Sequence, residues 1–583
     1  VAAAVLLLAL RAIGAPLGVP FADDFHFLHH ARFGGALHWL DGGGAVIYWR
    51  PLSRQAYFDL LGPLMLGHPG VLAALHGALL ALAAVLVYRV LRPRWPAWAA
   101  AAAASFPLIA EASRTLLLWP SAFQDLGALL FSALALHEAS RRRLPTALAS
   151  LGAGLLCKEI AVVAALLVPF MPDDRSGRER RRGAIAAGLL VLAWGVAYLA
   201  VMRHAGLMFQ RHLEVARPPF FERMAWALFA TLRDAVSLVG IRNALGLGPA
   251  LVVGTLAVGA PFAALRTAET RARLRRALPW VAWGTAWFLL STTTLTEVYP
   301  VWGPFRSAFG MLGLGIALCA WMAAAGPAWT ALLVALRIVA LLLSAGPPRD
   351  ITPAPYEPGA ALDFASLVRL ARLTEQTREV LHHEHATLPP RSVVAWHQRP
   401  LMADHAFAAG KALQVWYRDT TLRWIPWEDV LANPEQRLDV TLEYQAHESR
   451  QVVSIASEAV ARYRGGLVAM QGGDLAKAIA AFAAADSLQR DRGAKVFLST
   501  LAGKRAICAL AQFDVDTARR EAVRSLALWR DAGDARYVLA VLLAADHRYP
   551  EARAQLDTLL SAYPFDATAR AFRDTVFARD SAR

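Results

Sequence analysis

The chain reads as a polytopic α-helical membrane protein of about eleven spans, followed by a small α/β module and a C-terminal array of helical repeats. Three observations predict this. The 583 residues are 56% hydrophobic and only 18% charged, which no wholly soluble domain matches. Ala/Leu/Val/Trp blocks, many long enough to cross a ~30 Å hydrocarbon core, continue to about Ser344, and charged helix formers take over after Pro347. From about residue 451, small residues recur at the spacing of paired helices. The expected boundaries are 1–346 for the membrane body, 347–450 for the α/β module and 451–583 for the repeats.

The apolar windows fall near 1–20, 70–91, 96–116, 120–139, 145–157, 159–171, 184–203, 249–266, 278–296, 305–325 and 327–346. Val1–Leu10 has the composition of a signal-peptide core, but Ala-rich spans follow throughout, so an uncleaved first span is expected. Arginine clusters orient the windows: Arg89/Arg92/Arg94, Arg141–Arg143, Arg178/Arg180–Arg182 and Arg271–Arg276 all belong on the cytoplasmic side. Met224–Gly246 is apolar but carries Arg233, Asp234 and Arg242, and counting it as a span would push the Arg271 cluster outside. It is expected to lie as an amphipathic helix in the outer interface. The N-terminus is then inside and the tail extracytoplasmic.

The net charge of +15 is explained by those short basic loops, which argues against a nucleic-acid partner. Cys157, Cys319 and Cys508 imply no disulfide framework and no zinc spacing. The 18 Trp are expected mainly as interfacial anchors among membrane lipids.

In the tail, Leu362–His385 predicts helix and Ser392–Trp396 a short strand, with an aromatic group at Trp416-Tyr417. His382-His383-Glu384-His385 is expected on a solvated helix face. Farther on, Gly466, Gly473, Ala478, Phe482 and Ala485 sit where two helices must cross closely. Ala518 and Ala552 lie 34 residues apart, and Pro564 ends the last pair. The interval from Ala478 to Ala518 is 40, so an insertion is expected between them. This pattern resembles tetratricopeptide repeats, which implies a concave face for a peptide or protein partner.

Polar islands punctuate the membrane body: Asp23-Asp24, Tyr48-Trp-Arg-Pro-Leu52, Glu111-Ala-Ser-Arg114, Lys158-Glu159 and Pro304-Phe-Arg306. Charge at membrane depth is costly, so function is the default reading. With the orientation above, all five face outward. Each also has a plain reading. Asp23-Asp24 could cap a helix or, with Glu111, hold a divalent cation. Lys158 and Glu159 could neutralise each other, Arg50 could meet lipid head groups, and Glu111 could pair with Arg114 three residues on. His76 could be a satisfied buried histidine. His26, His29 and His30 have ligand-like helical spacing, but no further ligand is evident.

The order of the islands is similar to that in GT-C membrane glycosyltransferases using polyprenyl-phosphate sugars. The resemblance is greatest to the protein O-mannosyltransferase-like branch carrying C-terminal tetratricopeptide repeats. Its signs are the first-loop acidic pair, Tyr48-Trp-Arg-Pro-Leu52 for a YRPL run, the Lys158-Glu159 pair opening a span, and Arg306 before a late one. The chain departs from that pattern at Phe305, where a Glu is expected, and in the shifted Trp119–Asp125 stretch. The resemblance implies inverting transfer of one hexose, such as mannose, to a hydroxyl on a protein or an envelope glycan. Asp23 or Asp24 would be the base, and Arg50, Lys158 and Arg306 would hold the donor phosphate. Glu111, Arg114, Glu159 and His76 would line the substrate site, and no metal cofactor is required. The Arg- and Ala-rich, Lys-poor composition suggests a GC-rich bacterial genome and the cytoplasmic membrane. The alternatives are a non-enzymatic membrane-anchored repeat scaffold and a lipid-linked-glycan polymerase or ligase. A transporter is disfavoured because the ionisable groups gather at one face rather than near mid-membrane.

Overall fold

The computed structural model describes residues 1–35, 38–207, 217–235, 265–351, 362–400, 402–433, 435–446 and 448–581, together with 259 and 262. It is mostly helical with one small sheet. Two compact units form: residues 1–375 with 404–415, and residues 376–403 with 416–583.

In the first unit, three described helices are long and apolar enough to cross a membrane: Pro69–Leu91, Gly177–His204 and Pro304–Ala325. A fourth span results if Glu111–Leu118 and Pro120–Ser140, bent by 116°, count together. Ala2–Ala12, Leu144–Cys157, Glu159–Phe170 and Pro327–Leu343 are apolar but shorter. The window expected at 249–266 lies almost wholly outside the described residues.

The window expected at 96–116 is not one span. A helix covers Ala97–Ser105, the chain leaves helical geometry through Pro107, and a new short helix opens at Glu111. Proline cannot donate to the helical ladder, and Ala110, extended at φ −147° and ψ 141°, completes the break. Glu111 therefore starts a new helix instead of ending a crossing.

Over the expected amphipathic segment, Phe220–Ala235 is helical, and the remainder to Gly246 lies outside the described residues. Its two faces differ sharply. Phe221 and Phe229 are exposed, while Asp234 is buried and accepts hydrogen bonds from Trp302 Nε1 at 2.6 Å and Ser307 Oγ at 3.0 Å.

In the second unit the strands are β1 (Val393–Gln398), β2 (Arg423–Ile425), β3 (Val440–Tyr444) and β4 (Val452–Ile455). Their order is β2-β1-β3-β4. β1 runs parallel to both β2 and β3, and β4 is antiparallel to β3. The strand expected at 392–396 is thus central, and the sheet continues past residue 450. Helix pairs follow: Ser457–Gln471 with Leu475–Gln489, Lys495–Ala511 with Val515–Leu528, and Gly533–Ala545 with Tyr549–Ala562, before a last helix Ala567–Ser581. Gly466 lets the first pair close, because a Cβ there would lie 2.5 Å from the ring of Phe482. Ala478, Phe482, Ala485, Ala518 and Ala552 are all fully buried. The long 40-residue interval coincides with an extra 3₁₀ turn at Arg490–Arg492 and left-handed Gly493.

Candidate active site around the first loop

The twin aspartates open the helix Asp23–Phe33, and their side chains have separate fates. Asp24 is fully buried. Its Oδ2 accepts from the Phe21 amide at 2.9 Å, and its Oδ1 accepts from the Ser121 amide at 2.8 Å and the Ser121 hydroxyl. It ties the first loop to the turn before helix Phe123–Ser140, and both oxygens are taken. Asp23 is half-buried, and among the described residues its carboxylate has no hydrogen bond or ion pair. It sits on the first residue of the helix, where the unpaired backbone amides favour negative charge.

Burial pushes the Asp24 carboxyl up to about 7, against the pull of its Ser121 and Phe21 donors. The sign follows from linkage: between the unfolded value near 3.8 and about 7 the native state holds the extra proton. Stability should therefore fall as pH rises from 4 to about 7. Thermal unfolding across that range should show the midpoint dropping, and Asp24→Asn should flatten the slope. A midpoint rising with pH, unaltered by the substitution, would contradict this.

Arg50 and Lys158 reach the same neighbourhood. Arg50 forks onto Glu159, with Nε 3.0 Å from each oxygen and Nη2 2.6 Å from Oε2. Its Nη1 bonds Gln124, whose own Nε2 donates to the Ser121 carbonyl at 2.8 Å. Tyr198 adds a hydroxyl to Glu159 at 3.2 Å. Lys158 Nζ lies 2.6 Å from Asp125 Oδ1. The alternative in which Lys158 and Glu159 pair with each other is not what the contacts show, because each takes a partner from another segment. Arg306 donates to the Val301 carbonyl at 2.9 Å, beside the ring of Phe305. A row of rings, Phe21 to Trp119 at 5.6 Å and Trp119 to Phe305 at 5.3 Å, links it to the aspartate loop.

Three expected site residues are engaged elsewhere. Arg114 is buried, pairs with Glu111 at 2.7 Å, donates to the Ala345 carbonyl at 2.8 Å and covers the Phe364 ring. This is the plain pairing three residues apart, with the guanidinium holding three segments together. His76 is also satisfied: Nδ1 donates to the Leu116 carbonyl at 2.7 Å and Nε2 accepts from Tyr57 at 2.6 Å. These contacts tie Arg114 and His76 to backbone carbonyls and pair Glu111 with Arg114. Among the described residues, no group of three or more His, Cys, Asp or Glu is placed to hold a metal ion.

Two features lie outside the residues that the sequence reading singled out. Residues 404–415, which come from the tail, pack into the first unit. Ala406 accepts from the Ala22 amide at 2.8 Å, and Lys411 Nζ donates to His26 Nδ1 at 3.0 Å, one helical turn from Asp23. Arg54, one turn beyond Arg50, is a fully buried cation beneath Phe27 and Tyr48. Only its spacing of four from Arg50 could have flagged it.

No family model matches this chain, and no curated protein matches it. Solved structures similar to it include the following two. One is ArnT from Cupriavidus metallidurans in the apo state, at 15% identity, 78% of this chain, 96% of that one and a TM-score of 0.33. The other is the APC/C hetero-tetramer Cut9-Hcn1, at 11% identity, 91% of this chain, 95% of that one and a TM-score of 0.20.

Proposed function

We propose that the chain transfers a single hexose, such as mannose, from a polyprenyl-phosphate donor to a hydroxyl acceptor at the outer face of the bacterial cytoplasmic membrane. The observation that carries this reading is Asp23: an uncommitted carboxylate at a helix start, next to Asp24, which Ser121 and Gln124 join to a partly buried network containing Arg50, Glu159, Lys158 and Asp125.

The acceptor oxygen attacks the anomeric carbon as the bond from that carbon to the lipid-phosphate oxygen breaks, with inversion. Asp23 takes the hydroxyl proton, and the electron pair leaves on the phosphate. Lys158 has three N–H donors and commits one to Asp125, so it can meet the charge developing on the leaving phosphate, with Arg306 nearby. Arg50 is filled by Glu159 and Gln124 and acts as a positioning residue. A protein acceptor brought by the repeats fits best, and an envelope glycan is the other candidate.

The test supplies the full-length protein in membranes with a polyprenyl-monophosphate hexose or a polyprenyl-diphosphate oligosaccharide. The expected result is release of polyprenyl phosphate from the first donor alone. Consumption of the second alone makes the chain a polymerase or ligase. If neither donor turns over with any hydroxyl acceptor, a repeat scaffold is left.

A further inference from the structure

Arg54 is 1% exposed, yet among the described residues its Nε and Nη1 find no hydrogen-bond partner. Its guanidinium carbon lies 3.3 Å from the centroid of the Phe27 ring and 4.9 Å from that of Tyr48, and Nη2 bonds the Tyr48 hydroxyl. The neighbouring cations are balanced: Arg50 by Glu159 and Lys158 by Asp125. Arg54 has no paired carboxylate among the described residues. A buried cation with unmet donors is costly, and the contact with an aromatic face offsets only part of that. Burial, the largest cause, and Arg50 lower its pKa to about 10, with Tyr48, Asp23 and Asp24 offsetting part of the shift. Phe27 stands one turn beyond Asp23 on the same helix face, so the cation lies beneath the proposed base.

Tyr48 connects this residue to the loop. It is half-buried, and its ring also covers Arg50, 3.8 Å from that guanidinium. The phenol is therefore a neutral stand-in at a donor that a stronger, charged acceptor would claim.

We infer that Arg54 is the anchor for the phosphate of the lipid donor, and that the phosphate displaces the Tyr48 hydroxyl from its Nη2 on entry. This rests on the reading of the chain as a lipid-phosphate glycosyltransferase, and it adds a residue outside the motifs that suggested that reading. One buried cation with two open donors matches one phosphate.

The experiment measures binding of polyprenyl monophosphate, uncharged polyprenol and inorganic phosphate to the full-length protein in nanodiscs. Wild type is expected to prefer the lipid phosphate over the polyprenol. Arg54→Gln should lose that preference by roughly 10- to 100-fold, the range for charge-assisted bonds, with polyprenol binding unchanged. Arg54→Lys should keep part of it. Tyr48→Phe, which removes only the competing hydroxyl, should bind the lipid phosphate at least as tightly as wild type.

If wild type prefers the lipid phosphate and a folded Arg54→Gln does so equally, the inference falls and the donor reading stands. A wild type indifferent to the phosphate overturns both. Inorganic phosphate competing fully at the same site assigns it to a free anion and overturns the lipid anchor. Weaker binding by Tyr48→Phe overturns the displacement step. Should Arg54→Gln fail to fold, the comparison passes to Arg54→Lys, and full wild-type preference there with an unchanged salt dependence overturns the anchor.

Discussion

Asp23→Asn should cut sugar transfer by about 10²- to 10⁴-fold, the usual contribution of a positioned general base. The substitution keeps size and helix start while removing the group that can accept the proton. Because the side chain is half-buried and uncommitted among the described residues, its loss should barely move the thermal midpoint. Donor binding should survive too, which separates this variant from those at the phosphate. Asp24→Asn should behave differently. It replaces one carboxylate oxygen with an amide that must face either the Phe21 or the Ser121 N–H, so its first effect is on stability. Rates from the two variants, each normalised to folded protein, decide the matter. An Asp23→Asn enzyme within about threefold of wild type would remove Asp23 as the base.

The sequence places Asp23 and Asp24 together but does not say which does what. Successive helical residues point about 100° apart, so one faces the protein and the other half-faces the loop. Which way the helix rolls depends on Ser121, nearly a hundred residues away. The Lys158-Glu159 pair misleads for a related reason. Lys158 is extended, at φ −163° and ψ 141°, so the two side chains diverge toward Asp125 and Arg50. The Glu111–Arg114 pair was legible because a spacing of three is sufficient to bring helical side chains together. Likewise the Gly466–Phe482 crossing is local to one helical hairpin. The docking of residues 404–415 on the first-loop helix joins segments almost four hundred residues apart, and no periodicity encodes that. The broken third window was readable at Pro107 in principle, but mean apolarity hid it.

The largest stability effect is expected in the second unit, at Glu443. This carboxylate is fully buried on β3 and accepts from the Val496 amide at 3.0 Å, the Phe497 amide at 2.6 Å and His397 Nδ1 at 3.0 Å. Two residues on, just past the end of β3, Gln445 accepts from the Lys495 amide at 2.8 Å. Together they satisfy the first three amides of helix Lys495–Ala511, which has no side-chain cap of its own. Strand and repeat helix are thereby joined through a charge at a helix start, a favourable place for it. Glu443→Ala leaves two buried amides and an imidazole without their acceptor, and should destabilise the unit by about 3–5 kcal/mol. Glu443→Gln keeps one acceptor oxygen and should lose roughly 1–3 kcal/mol. Hydrogen exchange on the full chain localises the effect: amides of 495–511 and of β3 should exchange faster in Glu443→Ala, while those of Pro69–Leu91 stay at wild-type rates. Wild-type protection across 495–511 in that variant would mean that the helix start is held by the repeat packing alone, with the sheet contributing nothing.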